Sequence, residues 1–237
     1  EIPADIPAAD LSSIGDGLSE LEITRLMEQR EPERLACYLG AGAYEHHTPA
    51  AVWDIISRGE FYTAYTPYQA EASQGSLSVI FEYQSMISEL LSMEVSNASL
   101  YDGGSALAEA ALMAIRLKRG KVSKIVCASH LHPAYRQVLN TILTQQNIEL
   151  ITINITATGQ LDQPAWEQQL QGAAAVIISQ PTFFGTLEDV DQLTDLAHQH
   201  QVLVIAQVNP LACAWLKPPG QWGQAGADIA CGEGQSL

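Results

Sequence analysis

Positive charge is what this chain has least of. Lys and Arg number 11 against 27 Asp and Glu in 237 residues, a formal net charge of -16, and only four of the eleven are lysines. Such a surface repels phosphate, which argues against nucleic acid or an anionic membrane as a partner. No apolar run approaches the ~20 residues that span a bilayer, and the start lacks the charged-then-apolar pattern of a signal peptide. The four cysteines, Cys37, Cys127, Cys213 and Cys231, show no CxxC spacing. They read as small buried hydrophobes in a reducing, cytoplasmic compartment. His198 and His200 stand two positions apart and so cannot share a helix face, which makes them solvated helix-end residues; no metal site is expected. GxGxxG is absent, which argues against a Rossmann dinucleotide site.

What is present is a packed globular composition, 47% hydrophobic and 16% charged, at a length that admits one or two domains. The first 36 residues carry nine of the 27 acidic residues and read as an acidic extension with one helix near Glu20 to Arg30. Residues 37–94 hold a tyrosine-rich arm and a long helix with an apolar face of Leu77, Ile80, Phe81, Tyr83, Ile87, Leu90 and Leu91. Thr48 and Pro49 look like the N-cap and first turn of another helix running to about Ser57.

From about Val95 the chain alternates. Short apolar runs at Glu94–Ser99, Lys124–Ser129, Glu149–Asn154, Ala175–Ser179, Val202–Ala206 and Asp228–Cys231 read as strands. Helical patterns lie between most of them, at Ala106–Leu117, Ala134–Gln145, Pro164–Gln171 and Leu187–Gln199. Strand–helix alternation with runs as apolar as Leu203-Val204-Ile205 predicts a mainly parallel sheet between two helical layers, a three-layer αβα fold of the α/β class over residues 95–237.

Three segments can carry chemistry. In FYTAYTPYQAEASQG (Phe61 to Gly75), Tyr62, Tyr65 and Tyr68 recur every third residue while Pro67 argues against a continuous helix. Phenols in such a stretch offer an apolar wall with hydrogen bonds, or simply pack as a structural arm. In ASLYDGGSALAEAAL (Ala98 to Leu112), Asp102-Gly103-Gly104-Ser105 opens an Ala-rich helix and places backbone N–H groups and a hydroxyl where an anion binds well, although an ordinary strand-to-helix turn reads the same way. In SHLHPAY (Ser129 to Tyr135), His132 stands either at the carboxyl end of a strand, able to lie over an aromatic cofactor ring, or at a helix start beside Pro133.

Together with YLGAGAYEHHTPA (Tyr38 to Ala50) and CGEGQSL at the end, these motifs closely resemble the alpha subunit of two-subunit glycine decarboxylases, the P-protein of the glycine cleavage system. The likeness runs from about Cys37 to Leu237. It implies the aspartate aminotransferase-like fold of fold-type I pyridoxal-phosphate enzymes. A smaller C-terminal domain is then expected beyond Leu237, the chain stopping inside a motif.

Such enzymes need a lysine amine for the resting Schiff base and usually an acid facing the pyridine nitrogen. The resemblance puts the lysine eight residues after Asp228, at Ser236, with Gln235 where the catalytic subunit has histidine. Serine has no amine. Lys118, Lys121 and Lys124 cluster at the entry to a strand, and Lys217 precedes two prolines. In AQVNPLA, Asn209 stands for the pyridine acid, and an amide holds a protonated ring nitrogen less strongly than a carboxylate. The implied reading is an alpha subunit without catalytic groups of its own, whose beta subunit carries pyridoxal phosphate. In the family's reaction glycine loses carbon dioxide and its aminomethyl group passes to the lipoyl arm of the H-protein. By the same resemblance Tyr65, Tyr68, Gln69 and Glu71 line the shared site, while Ser105, His132 and Asn209 are relics of a cofactor pocket. The alternatives are a purely structural or regulatory partner, or a free-standing pyridoxal-phosphate enzyme with its lysine beyond residue 237.

Overall fold

The computed structural model describes residues 3, 10–31, 36–42, 44–62, 75–119 and 121–235. They fall into two compact units, Glu1–Glu45 and His46–Leu237. The first contains helix α1 (Glu20–Arg30), which opens on a capping box. The Ser19 hydroxyl accepts from the Glu22 amide, and the Glu22 carboxylate accepts from the Ser19 amide at 2.8 Å. Two of the four orphan donors at the helix start are thereby met, which is why the expected Glu20–Arg30 helix forms.

The second unit runs α2 (Ala50–Ile56), α3 (Gly59–Tyr62), α4 (Gly75–Leu91) and α5 (Gly103–Leu117) before its sheet begins. There follow β1 (Lys124–Ala128), α6 (Pro133–Thr144), β2 (Glu149–Ile153), α7 (Gln163–Leu170), β3 (Ala175–Gln180), α8 (Val190–Gln199), β4 (Leu203–Val208), two short 3-10 turns and β5 (Ile229–Gly232). The strands are ordered β2-β1-β3-β4-β5, and every pairing is parallel.

Side chains of a strand point alternately to its two faces, and both faces here are apolar. Ile125, Cys127, Ala175, Ile177 and Ile205 pack with Leu107, Ala111, Leu139 and Leu143 of α5 and α6. Val126, Ala128, Val176, Ile178, Val204, Ala206 and Val208 pack on the other face with Trp166, Leu170, Leu193 and Ala197 of α7 and α8. This is the three-layer αβα arrangement that the continuous apolar runs imply. The chain steps from β1 to β2 on one side and then crosses back from β2 to β3 on the other, so the β1/β3 boundary is a topological switch point, where α/β proteins place ligands at the carboxyl edge.

Several local expectations need correction. Residues 94–99 form no strand: Gln84 Nε2 donates to the Ser96 carbonyl at 2.6 Å, the Ser99 amide turns to Asn97 Oδ1, and Ser99 has φ 127. Short polar side chains there compete for the backbone that a ladder would need. Thr48 is not the cap of α2; Pro49 holds that position without a side-chain hydrogen bond. Helix α8 starts at Val190, capped by Asp189, because Glu188 is drawn into the loops at the sheet edge. His198 is not simply solvated. Its Nε2 lies 2.9 Å from Asp228 Oδ2, which also accepts from the Val204 amide at 2.7 Å, so α8, β4 and the entry to β5 meet at one carboxylate.

Residues 217–227 are pinned onto α8 in the same way. Asp191 accepts from Lys217 Nζ and from the Gly223 amide, and Asp195 accepts from the Gln224 amide. Beneath them Trp222 is fully buried, its indole N–H donating to the Lys217 carbonyl at 2.9 Å. Trp222→Ala should lower the unfolding free energy by about 3–5 kcal/mol, measured by denaturant unfolding; an unchanged midpoint would contradict this packing.

Candidate functional site

The carboxyl edge of the sheet is where this chain gathers its polar groups. Helix α5 starts there. Its N-cap Asp102 accepts from the Ser105 amide at 2.6 Å. That amide first, and then the Ser105 hydroxyl, hold the Asp102 carboxyl below the usual carboxylate range. The next donor, the Gly103 amide, is taken by Glu233, which follows β5: Glu233 Oε2 accepts from it at 3.1 Å across 130 positions of sequence. The other oxygen of Glu233 accepts from the Gln235 amide at 3.2 Å.

Glycine at position 103 is a requirement of this approach. A Cβ there would run into the Tyr135 hydroxyl and would stand 3.2 Å from the Glu233 backbone nitrogen. Tyr135 therefore covers the helix start from the α6 side. Burial first, and then the neighbouring Glu233, Asp102 and Cys231, push its phenol up to about 12.

Behind this helix start lies a cleft of about 850 Å³. Its walls come from α4 (Ile80, Tyr83, Leu91), the segment around Tyr101, α5 (Ala110, Met113) and the end of β5. Apolar walls with a few carboxylates at one end suit an amphipathic occupant.

A second cluster joins the loops that follow β1, β2 and β3. His130 Nε2 lies 2.8 Å from Glu188 Oε1, both side chains buried, and the same oxygen accepts from the Leu161 amide at 2.8 Å. The Gln180 side chain closes the loop after β3 by accepting from the Glu188 amide at 3.1 Å. The loops at the switch point are thus held to one another by side chains of this chain alone.

The sequence-derived candidates fall as follows. Ser105 is in the first turn of α5. His132 caps α6, its Nδ1 accepting from the Ala134 amide at 3.1 Å, and its ring stands 4.8 Å from Tyr135 and 5.0 Å from Phe183. Tyr135 is what brings the His132 and Ser105 turns together. Asn209 follows β4 but folds its side chain back to accept from the Leu211 amide at 3.1 Å. Tyr65, Tyr68, Gln69, Glu71 and Ser236 lie outside the described residues. Sequence reasoning assigned no role to Glu233, Tyr135, Glu188 or Asp228 as a bridge. Only the tight Asp-Gly-Gly-Ser helix start hinted that something must approach Gly103 closely.

A parallel αβα sandwich with a helix start at its carboxyl edge is the large-domain architecture of fold-type I pyridoxal-phosphate enzymes, and this chain is of that class. The family model of the glycine cleavage system P-protein matches residues 1–237, and the chain belongs to that family. It is 60% identical over its whole length to the probable glycine dehydrogenase (decarboxylating) subunit 1 of Coxiella burnetii (strain RSA 493 / Nine Mile phase I) and 55% identical to the protein of that name from Nitrosomonas europaea. The chain spans about half the length of these curated relatives, 53% in each case. A crystal structure of glycine decarboxylase (P-protein) of the glycine cleavage system, in inhibitor-bound form, superposes with a TM-score of 0.85 at 38% identity, covering 99% of this chain and 52% of that one.

The class implies pyridoxal phosphate, and the described residues do not fit it. Two of the α5 amides that would receive a phosphate, those of Gly103 and Ser105, are engaged by carboxylates of the chain itself. Lys124 opens β1, so Lys118, Lys121 and Lys124 precede the sheet at its amino side; Lys118 and Lys124 donate to the carbonyls of Gln201 and Gln171 there. Lys217 is bound to Asp191.

Burial pushes the Cys127 thiol up to about 11, so it stays protonated near neutrality. A thiolate-directed reagent at about pH 8 should leave Cys127 unmodified in the folded chain and label it once denaturant is added. Mass-spectrometric labelling of Cys127 in the folded state would contradict the packing of β1.

Proposed function

We propose that this chain serves as the alpha subunit of glycine decarboxylase, the P-protein of the glycine cleavage system, acting in the cytoplasm with a beta subunit that carries pyridoxal phosphate. The pair releases carbon dioxide from glycine and passes the aminomethyl group to the lipoylated H-protein. The observation that carries this reading is the 60% identity, end to end, with relatives named subunit 1 of glycine dehydrogenase (decarboxylating).

The geometry supports it from two sides. The lysine position implied by the family is Ser236, which has no amine. The cofactor chemistry then belongs to the partner. The surface also carries large apolar side chains a partner can cover: Trp53 at 63% exposure, Phe81 at 72% and Trp215 at 93%. No helix among the described residues is long and apolar enough to cross a membrane.

This chain's part in catalysis is to wall the shared site. Tyr65, Tyr68, Gln69 and Glu71 supply hydroxyls, an amide and a carboxylate that orient glycine and exclude water, and Ser105, His132 and Asn209 keep the outline of a second, unused pocket.

Glycine-dependent exchange of labelled carbon dioxide, measured with lipoylated H-protein, should be negligible for this chain alone and appear when the beta subunit is added. A mixture no more active than the beta subunit by itself would contradict the proposal. Tyr65→Phe with Tyr68→Phe should then lower turnover by roughly tenfold at unchanged assembly, the scale of one hydrogen bond lost to a charged group. Unchanged turnover would reduce the arm to a structural element.

A further inference from the structure

The amino end of α5 combines the two properties that make a helix start attract phosphate, namely unpaired N–H groups and the positive end of the helix dipole. In this chain both are already answered from within. Glu233 Oε2 accepts from the Gly103 amide at 3.1 Å, and Asp102 Oδ1 accepts from the Ser105 amide at 2.6 Å. The second Glu233 oxygen accepts from the Gln235 amide, and the Glu233 backbone nitrogen lies against Gly103. Tyr135 closes the opposite side. The arginines of α5 and α6 are engaged elsewhere, Arg116 with Glu109 at 3.9 Å and Arg136 with the Ser129 carbonyl. A phosphate approaching this turn would meet two negative charges, with the Gly103 and Ser105 amides already engaged, and like charges at such range repel it.

We infer that Glu233 is a built-in substitute for a phosphate group, a ligand supplied by the chain that closes its own copy of the cofactor phosphate site. Exclusion of a phosphorylated cofactor from this subunit then has two layers. Loss of the Schiff-base amine prevents covalent attachment, and the Glu233 carboxylate prevents the non-covalent docking that would otherwise persist. The inference concerns this chain's own helix end and stands whether or not the decarboxylase reading does. A failed reconstitution with a beta subunit would leave it untouched.

The test uses inorganic phosphate and pyridoxal phosphate as probes on the full chain. In the wild type, the amide resonances of Gly103 and Ser105 should not move when inorganic phosphate is added. In Glu233→Ala combined with Asp102→Asn, where asparagine still caps Ser105, calorimetry should show both probes binding at least about tenfold more tightly than the wild-type limit, the scale of one charge at a partly buried helix start. Two results overturn the inference. One is a saturable shift of the Gly103 amide in the wild type, which is readable even if the double variant does not fold. The other is a folded double variant with no gain in phosphate binding, which would make Glu233 a structural tether only.

Discussion

The amides that open a helix at the carboxyl edge of a parallel sheet must be paired with something, and the choice of partner governs this molecule. In α5 the partners are Asp102, from the turn itself, and Glu233, from the far end of the sheet. The second link fixes where the chain goes after β5, demands glycine at position 103, and draws Tyr135 over the junction. An anion-binding turn is thereby converted into a joint between the first helix of the αβα layers and the last described strand.

The same use of carboxylates recurs at both edges of the sheet. Glu188 holds His130 and the Leu161 amide, Asp228 holds His198 and the Val204 amide, and Asp191 and Asp195 hold the loop above Trp222. Acidic side chains close every one of these junctions, in a chain with 27 acidic and 11 basic residues. A ligand-binding edge usually leaves donors unpaired for its substrate. Here the Gly103, Ser105, Leu161 and Val204 amides are spent internally, while the cleft beside α4 stays apolar and Trp53, Phe81 and Trp215 stay exposed.

Much of the architecture could be read from the residues. The parallel sheet was legible because strands buried on both faces must be apolar at every position, and Ala175–Gln180 is buried throughout. The start of α5 was legible because a short polar side chain, Asp102, precedes its apolar period. Residues 94–99 misled because a short segment with Val95 and Ala98 ahead of a helix resembles a strand, whereas Val95 is 83% exposed and the neighbouring Ser and Asn side chains take the backbone. The links that define the site were illegible for a different reason. Gly103 and Glu233 are 130 positions apart, His130 and Glu188 58 apart, and His198 and Asp228 30 apart, so no local pattern connects them. Sequence pointed to the helix start as an anion site, and only the fold revealed that the anion is the chain's own.

On the proposed function, this chain keeps a pyridoxal-phosphate fold and leaves the cofactor to its beta subunit. Borohydride reduction of the assembled complex loaded with pyridoxal phosphate, followed by peptide mass mapping of both subunits, tests it most directly. The pyridoxyl group should appear on the beta subunit and on no lysine of this chain. A stoichiometric pyridoxyl-lysine in this chain, at any position, would contradict the account.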